Sequence, residues 1–335
     1  MNPEKTSESA NFSSGKENIN QQYEEFLQAQ AEAHAEFAKK LEPTPESDAF
    51  KAEIANPNFI EDPETGIKYA TYALNRDKTG KPLVVNLAWS CGAESGVGRA
   101  DLNEIAAHID RPIYTIDMEA TGKTDIPDRT LRKDVDFESL SASHLRIIDS
   151  LGIDDFDITG YSLGGVMAAG IAAQAGDRVG QIITMASPGF EDISILKLGY
   201  GFVIKEGLIN SKVYRQDAAE LRPTILAQDA IAQETSKGLV NRQNSPMLLK
   251  LSALMSEKAT ADAIARLSPS TKWTDVVGSE DAVTDWTGHL AAVQERNSLY
   301  PHSSVEHTLG TETHSMGLHR PAMAEIMATI LAKRP

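Results

Sequence analysis

The sequence predicts an α/β protein built on a doubly wound, mostly parallel sheet with a helical insertion, and three observations carry that prediction. Between residues 67 and 186, short apolar runs alternate with helix-like segments, as expected for strands covered on both faces and joined by crossover helices. One of those runs passes into an Ala-rich segment through a serine flanked by glycines, Gly160-Tyr161-Ser162-Leu163-Gly164. Beyond Ser187-Pro188-Gly189 the strand pattern stops, and it resumes at Trp273. That interruption, 187–266, reads as an insertion into the sheet.

The individual elements follow from local patterns. Residues 67–74, Ile-Lys-Tyr-Ala-Thr-Tyr-Ala-Leu, alternate like a half-exposed strand, and Leu83 to Trp89 is nearly continuous apolar sequence. Ser90 to Gly98 is a loop holding Gly92, Gly96 and Gly98, followed by a helix over Ala100 to Ile109 and a buried strand over Pro112 to Met118. A loop runs from Glu119 to Arg129. The next helix, Phe137 to Leu151, has Ser139 or Ser141 as its candidate cap. Phe156 to Thr159 is a strand leading to the serine, Val166 to Ala173 a helix, and Val179 to Ala186 another strand. After the insertion come strands at Trp273 to Val277 and Ser304 to Leu309, then a final helix, Ala322 to Leu331.

Composition narrows the function classes. The chain has 335 residues, 41% of them hydrophobic, and a formal net charge of -16. Such an acidic surface repels nucleic acid and anionic membranes. Cys91 is the one cysteine, which rules out an intrachain disulfide and reads as a small buried thiol. The N-terminus lacks the apolar stretch of a signal peptide, and no run approaches the roughly 18 apolar residues of a membrane span. These features predict a soluble, cytoplasmic protein.

Three parts are expected: an acidic N-terminal arm (1–50), a core made of 51–186 and 267–335, and a helical insertion (187–266). Residues 1–66 hold 14 Asp and Glu against 5 Lys, a net of -9. Residues 1–19 are polar and lack a basis for a packed core. Tyr23, Phe26, Leu27, Gln30, His34, Phe37 and Leu41 recur at helical spacing, and Pro43 and Pro45 end that helix. Its stripe must cover something, the body of the protein, a subunit partner or the entrance to a site, and the first is the favoured reading. In the insertion, Asp217 to Leu221, Pro223 to Gln233 and Pro246 to Ser256 read as helices, with Met247, Leu248, Leu251, Leu254 and Met255 on one side of the last.

The serine motif carries the chemistry. Gly160 and Gly164 stand where a side chain would collide with the neighbouring helix or strand if the turn were tight. The serine then takes a strained backbone conformation that lifts its hydroxyl clear of the sheet. The Leu163 amide falls in the first helical turn, where it has no internal partner and is available to a developing oxyanion. This pentapeptide in a strand-turn-helix setting resembles the nucleophile elbow of the alpha/beta-hydrolase family. A second segment, Asp117-Met118-Glu119-Ala120-Thr121-Gly122-Lys123-Thr124-Asp125, looks like that family's Asp-Leu-Arg-Gly-His-Gly-Arg-Ser-Asp, with identity at Asp117, Gly122 and Asp125. Its role is read as structural.

The resemblance implies that the helical insertion, 187–266, is a cap roofing the pocket, and it implies the remaining site residues. A serine hydroxyl needs a histidine to take its proton and an acid to orient the imidazole, and in this family the order is serine, acid, histidine. Gly278-Ser279-Glu280-Asp281 places an acid three residues after a glycine at the end of a strand. Asp281 is therefore the implied acid, with Glu280 and Asp285 as rivals. His314, in the loop after the last strand, is the implied base, ahead of His307 and His319. The second oxyanion amide falls to Trp89, with Ser90 as the alternative, although Leu87-Ala88-Trp89 stands where many members have His-Gly. Tyr161 and Ser90 are assigned to the substrate pocket. His289 and His302 are expected on the surface or in loops.

No cofactor or metal is expected. The spacing of His302, His307, His314 and His319 matches no metal motif, and the chain lacks a dinucleotide or phosphate loop. The expected activity is hydrolysis of a small carboxylic ester with an apolar part, through a Ser-His-Asp triad. The alternatives are other acyl transfer, peptidase-like or haloperoxidase-like chemistry of the same fold, or a binding protein that has lost turnover.

Overall fold

A computed structural model describes residues 44–88, 91–124, 135–201, 257–278, 286–300, 305–310 and 320–332, together with 251, 253, 255, 281, 283 and 284. The expected arm helix (Tyr23 to Leu41) and most of the expected cap lie outside these residues.

Eight strands form one sheet: β1 (Asn58–Glu61), β2 (Lys68–Leu74), β3 (Leu83–Asn86), β4 (Ile113–Ile116), β5 (Phe156–Tyr161), β6 (Val179–Met185), β7 (Lys272–Gly278) and β8 (Val305–Gly310). Their spatial order is β1-β2-β4-β3-β5-β6-β7-β8. Pairing is antiparallel for β1 with β2 and for β2 with β4, and parallel for all the other neighbours. The expected mostly parallel, doubly wound sheet is what the chain forms.

Side-chain alternation divides the core into two layers. Val84 and Ile182 point to one face, where they meet helices α3 (Phe137–Ser150), α4 (Leu163–Ala175), α6 (Ala259–Ala265) and α7 (Trp286–Leu299). Val85 and Ile183 point to the other, toward α1 (Asp48–Ile54), α2 (Gly96–His108) and α8 (Arg320–Ala332). A short helix α5 (Ile195–Tyr200) follows β6 within the insertion. Period-two burial on both faces explains why these strands read as continuous apolar runs.

Several boundaries differ from the sequence reading, each for a local reason. β3 ends at Asn86 rather than Trp89, because the Asn86 and Leu87 carbonyls lie against the start of α4. α2 begins at Gly96, since the Ser95 hydroxyl accepts the Gly98 amide at 3.1 Å and caps it there. α3 is capped by Asp136, not by Ser139 or Ser141. The Asp136 carboxylate accepts the Ser139 amide at 2.7 Å while Ser139 Oγ accepts the Asp136 amide at 3.2 Å, a reciprocal capping box. Ser141 instead donates within the helix to the Phe137 carbonyl.

The strand order fixes where a site can form. β4 lies on one side of β3 and β5 on the other, so the chain reverses its winding between β3 and β5. Crevices beyond the carboxyl ends of parallel strands open at such a reversal. Asn86 pairs with Gly160 at that end, which puts the residues after β3 beside the serine turn after β5.

Candidate active site

Ser162 stands between the last residue of β5 and the first of α4, with φ 54° and ψ -125°. A non-glycine residue holds this conformation only where its surroundings over-determine it, and here they do. The Ser162 amide donates to the Met185 carbonyl at 2.9 Å, and the Ser162 carbonyl accepts the Gly165 amide at 2.9 Å. A Cβ on Gly160 would overlap the Gly164 carbonyl, one on Gly164 would overlap the Asn86 carbonyl, and one on Gly165 would overlap the Ser187 hydroxyl. The turn thus exists only because three positions lack side chains. Ser162 is 7% exposed. Leu163 opens α4, and the amide of a first helical residue has no intrahelical acceptor.

Asp281 lies beyond the C-terminal end of β7, as expected for the acid. Its Oδ1 accepts the amides of Val283 at 2.8 Å and Thr284 at 2.9 Å, and its Oδ2 accepts the Thr284 hydroxyl at 2.7 Å. This is an Asx turn leading into α7. The Val283 and Thr284 contacts were legible only as an Asp followed at two and three residues by amides ahead of a helix.

Trp89, Ser90, Glu280, Asp285, His302, His314 and His319 fall outside the described residues, as does the side chain of His307. The backbone places His307 within β8.

Two cavities flank this end of the sheet. The smaller, about 50 Å³, lies behind the serine turn between β3, β5 and α8, with Tyr161, Leu87, Met185 and Met327 among its walls. The Asp101 carboxylate and Arg320 guanidinium, 2.5 Å apart, stand at its edge. Burial pushes the Asp101 carboxyl up against the opposing pull of Arg320. The larger cavity, about 360 Å³, is walled by Phe190, Ile193, Tyr200, Asp281 and Trp286, with Ser187 at the elbow side.

A polar knot supports the loop after β3. The Asp117 carboxylate accepts the Ala93 amide at 2.7 Å, the Lys123 amide at 2.8 Å and the Tyr72 hydroxyl at 3.3 Å. Gly122 has φ 52°, and a Cβ there would overlap the Asp117 carboxylate. Burial pushes the Asp117 carboxyl up to about 6, against the pull of the Lys123 and Ala93 amides and the Tyr72 hydroxyl. Cys91, in the same loop, is buried and forms no disulfide.

His289 requires a correction. Expected on the surface or in a loop, it lies in α7 and is 1% exposed, with Nδ1 2.7 Å from Asp275 Oδ2. The helix carries no clear apolar period, because its buried face mixes Gly288, His289, Ala292, Val293 and Arg296, so its pattern carries little sign of this burial.

Among the described residues, no group of three or more His, Cys, Asp or Glu side chains could hold a metal ion, and no helix is long and apolar enough to cross a membrane.

Known proteins share this architecture. The sequence model of a family described as the alpha/beta hydrolase fold matches residues 88–308. A carboxylesterase structure from the thaumarchaeon Nitrososphaera gargenis is similar with a TM-score of 0.57 at 15% identity, over 82% of this chain and 98% of that one. An enol-lactonase from Burkholderia xenovorans LB400 aligns with a TM-score of 0.58 at 13% identity, over 82% and 98%. A meta-cleavage product hydrolase from Pseudomonas fluorescens IP01 gives 0.58 at 16%, over 82% and 96%. At such identities the likeness is one of fold.

Proposed function

Because this chain belongs to the alpha/beta-hydrolase fold family, we propose that it is a serine hydrolase cleaving a small carboxylic ester through an acyl-enzyme. Ser162 is the nucleophile, His314 the general base and Asp281 the acid that orients it. The observation that carries this reading is the backbone of Ser162, strained at φ 54° between β5 and α4. A plain connecting turn has no use for that strain, whereas a nucleophile gains a hydroxyl held clear of the sheet beside a helix N-terminus.

In the proposed reaction Ser162 Oγ attacks the ester carbonyl carbon as its proton passes to His314. The carbonyl electrons move to oxygen, and the amides of Leu163 and Trp89, or Ser90 in its place, receive the resulting negative charge. Collapse expels the alkoxide, which takes the proton from His314 and leaves as an alcohol. Water, deprotonated by His314, then attacks the acyl-enzyme, and the acid departs as Ser162 regains its proton. Asp281 stays ionised, consistent with the three donors its own loop supplies. The apolar walls of the larger cavity, Phe190, Ile193 and Trp286, suit an apolar part of the substrate. Residues 187–266 are proposed to roof it as a cap that excludes water.

Intact mass after treatment with a small fluorophosphonate tests the reading, wild type beside Ser162→Ala. One phosphonyl adduct on the wild type and none on the variant is the expected result. An unlabelled, folded wild type would favour a binding protein that has kept the fold without turnover.

A further inference from the structure

We infer that His289 is a positioning residue for the acid of this site, acting through Asp275; the inference rests on Asp281 being that acid. Asp275 belongs to β7 and His289 to the first turn of α7. The segment joining them carries Asp281. The 2.7 Å bond from His289 Nδ1 to Asp275 Oδ2 therefore closes the base of the loop whose tip presents the carboxylate.

The latch is buried and embedded in a network. Asp275 is 0% and His289 1% exposed. Asp275 Oδ1 accepts the Thr184 hydroxyl at 2.7 Å, and Thr184 Oγ1 accepts the Trp273 indole N–H at 2.8 Å. The imidazole lies against the Phe190 ring, with centroids 4.0 Å apart. A carboxylate in this setting depends strongly on each donor, because water cannot replace one.

The other ring nitrogen shows what His289 is for. Among the described residues Nε2 is buried without a hydrogen-bond partner. Among those residues the ring's one hydrogen bond is to Asp275. A second pin holds the far half of α7. About two turns further along, Arg296 donates to the carbonyls of Ile264, Leu267, Ser268 and Thr271 at 2.8–3.4 Å. Release of His289 alone therefore frees the first turn and the acid loop while the rest of the helix stays docked.

Two near-isosteric substitutions separate this role from simple packing. In His289→Asn the side-chain amide donor sits where Nδ1 was, whereas in His289→Gln it sits where Nε2 was, out of line with Asp275. The readouts are kcat and KM for an ester of the class proposed above, and the rate of Ser162 phosphonylation, all taken well below each variant's Tm. We expect His289→Gln to lose about 10-fold or more in kcat and in phosphonylation, with KM within about twofold, as for a group displaced by a fraction of its working tolerance. His289→Asn should retain most of both rates. If both variants keep wild-type rates and differ only in Tm, the latch is merely structural and the inference is overturned. Loss of rate in both to the same degree overturns it too, since the donor position would then be irrelevant. Should His289→Gln fail to fold, Thr184→Val withdraws another donor to Asp275, and full kcat in that variant overturns the inference. Asp281→Asn is measured beside them. If it falls by at least about 10²-fold while His289→Gln keeps the wild-type rate, the latch alone is refuted. Wild-type activity in Asp281→Asn refutes the triad assignment itself, and the inference with it.

Discussion

Gly164 lies against Asn86, its Cα so close to the main chain leaving β3 that an added methyl would overlap the Asn86 carbonyl oxygen and stand 2.6 Å from that of Leu87. The same contact seats the elbow helix on the strand that leads to the candidate oxyanion loop. Strand end, helix start and Ser162 are therefore one mechanical unit.

Gly164→Ala tests that unit. The obstacle is backbone, so no rotamer change relieves the overlap, and α4 must shift away from β3. Overpacking of this kind costs about 1–3 kcal/mol, to be read as a lower denaturation midpoint. The shift also moves the Leu163 amide, so the rate of phosphonylation should fall by about 10²-fold, the loss associated with one oxyanion donor. A variant that is destabilised yet phosphonylated at the wild-type rate would show that the contact serves packing alone.

A different anchor ties the sheet edge to the helical layer. Asp62 follows β1 and is fully buried, and Arg146 of α3 binds it through two bonds of 2.7 and 2.8 Å. Burial alone would raise the Asp62 carboxyl, but the bonds from Arg146, Thr65 and the Glu64 amide outweigh it and hold it at about 2. A carboxyl depressed from 3.8 stabilises the fold above its unfolded value, and that stability is lost as pH falls from about 4 to 2. Arg146→Leu should cost on the order of 3 kcal/mol near neutral pH, because it strands a buried carboxylate. Denaturant titrations between pH 2 and 5 should show a shallower acid slope in Asp62→Asn than in the wild type. Equal slopes would mean that other carboxylates control acid unfolding.

What the sequence disclosed depended on how local the cause was. The elbow was legible because its glycines, serine and flanking strand and helix lie within one short stretch, and each glycine proved necessary to a contact that stretch makes. The sheet was legible because burial on both faces leaves continuous apolar runs. The limits of β3 were not, since its pairing stops after Asn86, where the Leu87 carbonyl meets Gly164, which is distant in sequence. The Asp136 cap was missed because a carboxylate before Phe137 looks like ordinary loop sequence until its bond to the Ser139 amide is seen. His289 was misread for the same reason: Asp275, Thr184 and Phe190 give it meaning, and they converge only in the folded sheet.

Asp117 offers a prediction with the opposite sign to that of Asp62. Its carboxyl is raised by burial to about 6 from 3.8, so the folded chain holds a proton that the unfolded chain releases. The stability this group contributes is fully present below about 4 and is lost as pH rises through 6. Asp117→Asn mimics the protonated form and removes that dependence, at the cost of one acceptor for the Ala93 and Lys123 amides. The stability of the wild type relative to Asp117→Asn should therefore be greater at pH 5 than at pH 7.5, by about 1 kcal/mol. Matched denaturant titrations at the two pH values measure the difference. No change, or a change of the opposite sign, would mean that the three donors to Asp117 keep it ionised despite its burial, making the knot beside Gly92 and Gly122 an anion site rather than a proton-holding one.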